Sequence, residues 1–214
     1  LASWKLLYQY FVKNKNRPAA DHAHQQIKKL ESLPPSLLYI DQILNEGRLG
    51  LAETKCRAFL KKNPTHTYAM SLLSEIANRM GYFDDAEFLL EKAVEFDPND
   101  GDLRMKYAMV LRKKQKFNKT MEQVNILCDQ FPENMNYQAQ KASEIMQNGD
   151  HAKAIKLFDH ILEKNPFNFS THTSKGHAQK TLGKTDQAIQ SYQSAYKIKP
   201  DHGEAFFSLA NLKT

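Results

Sequence analysis

The segment closest to a catalytic signature is Ala178-Gln179-Lys180-Thr181-Leu182-Gly183-Lys184-Thr185. It fits a loose phosphate-loop expression, with alanine where the first glycine belongs. Such a loop works when a glycine-rich turn lies between a strand and a helix, so that backbone N–H groups converge on phosphate oxygens. Gly183 instead sits at a turn between helical patterns and no strand pattern precedes it, so nucleotide binding is not expected. His22, His24, His172, His177 and His202 lack the spacing with cysteines or carboxylates that a zinc site requires, and read as solvated or capping side chains. The acidic runs Asp84-Asp85 and Asp97–Asp100 fall on outer helix faces or in turns. With no cleft to perturb them, such carboxylates do not make a general acid and base. Cys56 and Cys128 lie 72 residues apart at apolar positions of helical patterns. Two thiols are too few for a disulfide framework, and they suggest buried side chains in a reducing, cytoplasmic setting. No catalytic, metal or cofactor-binding residue is expected in this chain.

The elements around these residues are more informative. The chain has 214 residues, 25% charged and 41% hydrophobic, with eight glycines and eight prolines. That composition excludes collagen-like and Pro/Gly-rich disordered classes. The net charge of +6 permits an acidic partner or a nucleic-acid backbone without demanding either. Basic residues are spread rather than striped, which disfavours nucleic acid. The longest apolar stretches, such as Leu6 to Val12, fall far short of the roughly 20 residues a bilayer span needs, so no membrane association is expected. No signal-peptide pattern is visible and there is no initiator Met, so the start is expected to have been trimmed.

Internal periodicity dominates. Pro64, Pro98, Pro132, Pro166 and Pro200 stand 34 residues apart, four of them following Asn, Asp or Lys and the fifth following Phe131. With proline at position 32, the units are 33–66, 67–100, 101–134, 135–168 and 169–202. Position 20 reads Ala52, Ala86, Thr120, Ala154 and Ala188. Position 15 reads Gly47, Gly81, Gln115, Gly149 and Gly183. Position 8 reads Ile40, Ser74, Ala108, Ala142 and Gly176. Position 24 is apolar throughout: Cys56, Leu90, Val124, Phe158 and Tyr192. Small side chains at positions 8 and 20, Ala142 and Ala154 for example, let two helices approach closely. Glycine at 15 ends the first helix where a left-handed residue costs least, and proline at 32 ends the second. Between these marks apolar residues recur at helical spacing, as in Phe88, Leu89, Ala93, Val94 and Phe96.

This pattern resembles the tetratricopeptide repeat, a helix–turn–helix unit with a 34-residue period. The resemblance implies an all-α fold, a right-handed superhelical solenoid of antiparallel helix pairs, acting as a non-catalytic protein-interaction scaffold. Residues 1–32 read as a degenerate N-terminal helical hairpin, with Leu1, Trp4, Leu6, Leu7, Tyr8 and Phe11 on an apolar face and Pro18 in the first turn of the second helix. Residues 203–214 read as the first helix of a sixth unit, stopping mid-unit before an expected C-terminal domain. In this family the first helices line a concave groove. Carried onto this sequence, its peptide-binding positions include Tyr68, Glu75, Asn78 and Arg79, then Met105, Met109, Arg112 and Lys113, then Met146, and lastly His177 and Lys180. Asn136 and Ser143 fall at further groove positions. Methionines suit an adaptable surface, and Arg112 with Lys113 is placed to hold a carboxylate or an acidic segment. The carboxylate clamp of chaperone-binding repeats is not met, because positions 5 and 9 hold Leu37 and Asp41, then Ser71 and Glu75.

The C-terminal end carries a closer likeness. The run Thr-Ser-Lys-Gly-His-Ala-Gln-Lys-Thr-Leu-Gly-Lys from Thr173, then Gln-Ala-Ile-Gln-Ser-Tyr, then Pro-Asp-His-Gly-Glu-Ala-Phe-Phe-Ser-Leu-Ala-Asn-Leu-Lys-Thr to Thr214, is similar to the last repeats of bacterial tetratricopeptide-repeat sulfotransferases. That likeness implies a catalytic domain after Thr214, using phosphoadenosine phosphosulfate, for which this chain would position a substrate or partner. A free-standing adaptor is the alternative, and nucleic-acid binding through basic helices is a third reading that rests on charge alone. If the register is right, Ala154→Leu overpacks the helix crossing and lowers stability by about 1–3 kcal/mol; an unchanged melting temperature would show the register to be wrong.

Overall fold

The computed structural model describes residues 2–15, 17–201 and 203–213, and within them all side chains but those of Ala2, Pro18, His22, Leu212 and Lys213. Leu1, His202 and Thr214, named above, lie outside the described residues. Among those described, all regular structure is helical, in thirteen helices. They fall into two compact units, residues 1–97 and 98–214. The first contains α1 (Ala2–Lys13), α2 (Arg17–Glu31), α3 (Pro35–Asn45), α4 (Leu49–Lys62), α5 (Thr67–Met80) and α6 (Phe83–Phe96). The second contains α7 (Gly101–Lys113), α8 (Phe117–Gln130), α9 (Met135–Gln147), α10 (His151–Lys164), α11 (Phe169–Thr181), α12 (Thr185–Ile198) and α13 (Gly203–Lys213).

Each 34-residue unit is one antiparallel helix pair, and the turn inside it is the same five times. Gly47, Gly81, Gly149 and Gly183 have φ between 72° and 92°, and Gln115 takes φ 57° at the same position. In each case the left-handed residue donates its N–H to the carbonyl three residues back, and the next residue donates to the carbonyl five back. Gly81 bonds to Asn78 and Tyr82 to Ala77; Gln115 bonds to Arg112 and Lys116 to Leu111. These bonds satisfy the last carbonyls of the first helix as a Schellman motif. Gln115 occupies a conformation that a Cβ disfavours, because the surrounding hydrogen bonds hold it there. Lys15, at φ 55°, makes the corresponding bend between α1 and α2.

The second helices stop for a different reason. Asn63, Asp97, Phe131, Asn165 and Lys199, each preceding the repeat proline, lie at φ between −130° and −139°, because the proline ring excludes the helical region for the residue before it. Two residues past each proline, Asp100, Asn134 and Asn168 accept the first backbone N–H groups of α7, α9 and α11, and His66 Nδ1 does so for α5. These caps restart the first helices α5, α7, α9 and α11.

The core sits between the paired helices. Every residue at positions 8, 20 and 24 is buried. Side-chain size alternates across the pair: Ile40 with Cys56, Ser74 with Leu90, Ala108 with Val124, Ala142 with Phe158, and Gly176 with Tyr192. At the last, a methyl group on Gly176 would stand 2.6 Å from the Tyr192 ring. Both cysteines are free and buried, and burial pushes the Cys56 thiol up to about 12.

Two expectations about apolar faces are corrected. In α1, Trp4, Tyr8 and Phe11 form one half-buried stripe, but Leu6 lies off its 3.6-residue period and Leu7 at its flank, and both are exposed. In α6, Ala93 and Val94 are buried whereas Phe88 and Phe96 face out at 59% and 50% exposure. Among the described residues no helix is long and apolar enough to cross a membrane. Because Gln115 holds a glycine's conformation, Gln115→Gly should raise stability by about 0.5–1 kcal/mol, whereas Gly183→Ala should lower it by about 1–2 kcal/mol. Chemical denaturation midpoints moving the other way would contradict the shared turn.

Candidate functional site

The first helix of each pair is amphipathic in two directions. One stripe meets its own second helix, and the positions between face away from that contact. In the first unit, α5 presents Tyr68, Glu75, Asn78 and Arg79. Arg79 Nε donates to Glu75 Oε1 at 2.7 Å, and its Nη1 donates to the Leu44 carbonyl at 3.2 Å. The guanidinium thus neutralises its helical neighbour and ties α5 to the carbonyl end of α3. Tyr68 is half-buried; burial first, and then the carboxylate of Asp41, push its hydroxyl up to about 12. Asn78 is half-buried as well.

In the second unit, α7 presents Met105, half-buried, and Met109, 54% exposed. Arg112 Nη1 pairs with Glu144 Oε1 of α9 at 2.8 Å, and Gln140 Nε2 donates to the same oxygen at 2.6 Å. Glu144 is buried, so this pair binds one repeat to the next inside the unit. The expectation that Arg112 awaits an external carboxylate is thereby revised: the protein supplies that carboxylate. Lys113 beside it is exposed. Met146 packs from α9 onto Ala142, Ile145, Ala154 and Phe158. On α11, His177 is a bridge. Its Nε2 lies 3.1 Å from Glu204 Oε1 and its Nδ1 lies 2.9 Å from the Tyr192 hydroxyl. A carboxylate only accepts, so Nε2–H donates and, in the neutral ring, Nδ1 accepts from the phenol. His177 therefore fastens α13 to the fifth repeat. Lys180 is exposed.

The side chains brought together around a concavity are a different set. Between α9 and α11 lies a pocket of about 240 Å³, lined by Asn136, Ala139, Gln140, Ser143, Phe158, Asn168, Ser170, Thr171 and Ser174. No charged side chain lines it, and its hydroxyls and amides surround one aromatic and one alanine. Asn136 and Ser143 are among the groove positions read from the sequence; the α11 half was not anticipated. Glu144 was missed although a signal existed. It stands at position 10, where Ile76, Val110 and Ala178 are buried and apolar although Gln42 is exposed, and a buried carboxylate in that register needs a cation from a neighbouring helix.

Two other features singled out in the sequence have definite places in the fold. Gly183 is the turn between α11 and α12, with helix on both sides. His172 Nε2 lies 3.0 Å from the Pro166 carbonyl. Among the described residues no group of three or more His, Cys, Asp or Glu is arranged to hold a metal ion.

Residues 68–100 and 169–202 match the family model of the tetratricopeptide repeat. A tetratricopeptide repeat-containing protein of Caenorhabditis elegans, trd-1, is 24% identical over 134 residues, which is 62% of this chain but 16% of that protein's length. Among solved structures, YrrB, a tetratricopeptide-repeat protein with an unusual peptide-binding site, is 17% identical with a TM-score of 0.65, over 86% of this chain and 96% of its own. MamA is 16% identical with a TM-score of 0.67, covering 77% and 96%. A tetratricopeptide repeat protein from Parabacteroides merdae is 18% identical with a TM-score of 0.74, covering 83% and 70%. The fold is an all-helical tetratricopeptide-repeat solenoid.

The internal pairing has a measurable consequence. Arg112→Ala strands the buried Glu144 charge and should cost about 1–3 kcal/mol, whereas Lys113→Ala should stay within about 0.5 kcal/mol. Equal melting temperatures for the two variants would remove the Arg112–Glu144 pair as a structural tie.

Proposed function

We propose that this chain is the protein-interaction region of a longer protein, holding a protein or peptide segment on its first-helix faces while the chemistry is done elsewhere. The carrying observation is the uncharged polar pocket between α9 and α11, a concavity lined by first helices that lacks the titratable cluster a reaction would need. Amide and hydroxyl side chains around an aromatic floor suit the peptide groups and uncharged side chains of an extended segment. Tetratricopeptide repeats generally mediate protein–protein interaction, and the peptide-binding site of YrrB is consistent with that use here.

The longer protein is proposed to be a bacterial, cytoplasmic sulfotransferase. Support comes from the run between Thr173 and Thr214. Phosphoadenosine phosphosulfate and its binding residues would then belong to the domain beyond Thr214.

The test uses the native gene product, sequenced through its C-terminus, assayed for sulfuryl transfer, and carrying a benzophenone photocrosslinker at Ser143 or at Lys156 on α10. Ser143 should crosslink to a partner protein and Lys156 should not, with transferase activity in the segment after Thr214. Crosslinking from Lys156 alone would overturn the first-helix assignment. A product that ends near Thr214 without sulfuryl transfer would leave a free-standing adaptor.

A further inference from the structure

Four of the five helix pairs share one polar habit on their second helices, and the pair α5–α6 breaks it. At position 22 the units carry Thr54, Glu122, Lys156 and Gln190, all exposed, but Phe88 in α6. At position 16 they carry Arg48, Lys116, Asp150 and Lys184, but Tyr82 before α6. Phe88 is 59% exposed and Tyr82 54%. Neither aromatic is needed by the repeat, since four other pairs close without one.

Both aromatics border the same concavity. A pocket of about 180 Å³ lies between α4 and α6 over α5, with Leu73, Ile76, Ala77 and Leu89 beside Phe88 and Tyr82, and with Glu53, Arg57 and Asp85 at its polar edge. Arg57 is engaged by Glu53 at 2.9 Å, which leaves the edge acidic through Asp85. The charge of α6 points the same way. It carries Asp84, Asp85, Glu87, Glu91 and Glu95 against Lys92, of which Glu95 pairs with Lys92 at 2.7 Å and Glu87 is buried, in a chain whose net charge is +6. Position 19, where Asp85 stands, holds Leu51, Lys119, Lys153 and Gln187 elsewhere. Aromatic and acidic departures therefore coincide in one helix and around one pocket.

We propose that the α4–α6 groove is a second docking site, which takes an apolar side chain flanked by lysine or arginine on a partner protein. The apolar side chain fills the pocket against Phe88 and Tyr82, removing exposed aromatic surface from water. The flanking cations meet Asp85 at the pocket edge, which sets orientation and speeds encounter. The same field repels a nucleic-acid backbone. This site is built from the second helices α4 and α6 with α5 as its floor and does not depend on the pocket between α9 and α11.

The test pans a phage-displayed random dodecapeptide library on the full chain after depletion on a Phe88→Ser variant, an exposed substitution whose fold is checked by circular dichroism. Enriched peptides should carry an apolar residue between Lys or Arg. Their affinity should fall about tenfold on Asp85→Lys and fall again at high salt, while Ser143→Ala leaves it unchanged. Overturning results are no enrichment after depletion, enriched peptides without basic flanks, or affinities indifferent to Asp85→Lys. Binding that fails on Ser143→Ala but survives Asp85→Lys would move the interaction to the first-helix pocket and remove this proposal.

Discussion

The close approach of two helices at positions 8 and 20 is the constraint from which the rest of the structure follows. Ala52, Ala86, Thr120, Ala154 and Ala188 are essentially inaccessible to solvent, and each lets a first helix lie against the second with little between the backbones. Once the helices are that close, the residue at position 24 has a fixed space to fill, and what it can be depends on position 8. The series from Ile40 with Cys56 to Gly176 with Tyr192 shows the trade. Interiors pack at nearly constant density, so a larger side chain on one helix requires a smaller one opposite. Gly176 is the extreme case, since the Tyr192 ring occupies the space a methyl would need.

Geometry between the pairs is held by hydrogen bonds that repeat with the sequence. The left-handed turn satisfies the carbonyl end of the first helix in all five units, and His66, Asp100, Asn134 and Asn168, each two past a repeat proline, satisfy the amide end of the next. Every helix boundary is thus set locally, by a residue whose backbone preference is strong. This is why Gln115 conforms although it is no glycine: the two bonds of the motif, from Gln115 to Arg112 and from Lys116 to Leu111, outweigh the modest cost of its φ.

Against that uniform frame, the polar exceptions carry the individuality. Glu144 and Arg112, Gln179 with Ser191 at 2.7 Å, and His177 between Tyr192 and Glu204 replace apolar or solvated side chains at positions where other units need none. Each joins two helices. Arg104 is a more costly exception. It is buried, bonded to Gln123 and the Pro98 carbonyl, with its Nε unpartnered, and burial pulls its pKa down. Several side chains that look available on a first helix are consequently committed within the protein, and the surfaces left for a partner are fewer than the repeat pattern alone implies.

The sequence by itself determined the helix pairs, their boundaries and their register. Proline, glycine and small residues act through the backbone of their own neighbourhood, and that information is local and repeated five times. Even the odd carboxylate at position 10 was legible in principle, as a charge where three of the other four units are apolar. The tertiary structure alone decided which groove residues face a concavity and which are tied up. Whether Arg112 meets solvent or Glu144 depends on a residue 32 positions away on another helix, and whether Phe88 is core or surface depends on how α6 rotates against α5. Helical periodicity says that a side chain belongs to a stripe; only packing says what that stripe touches, because burial is a property of two surfaces together.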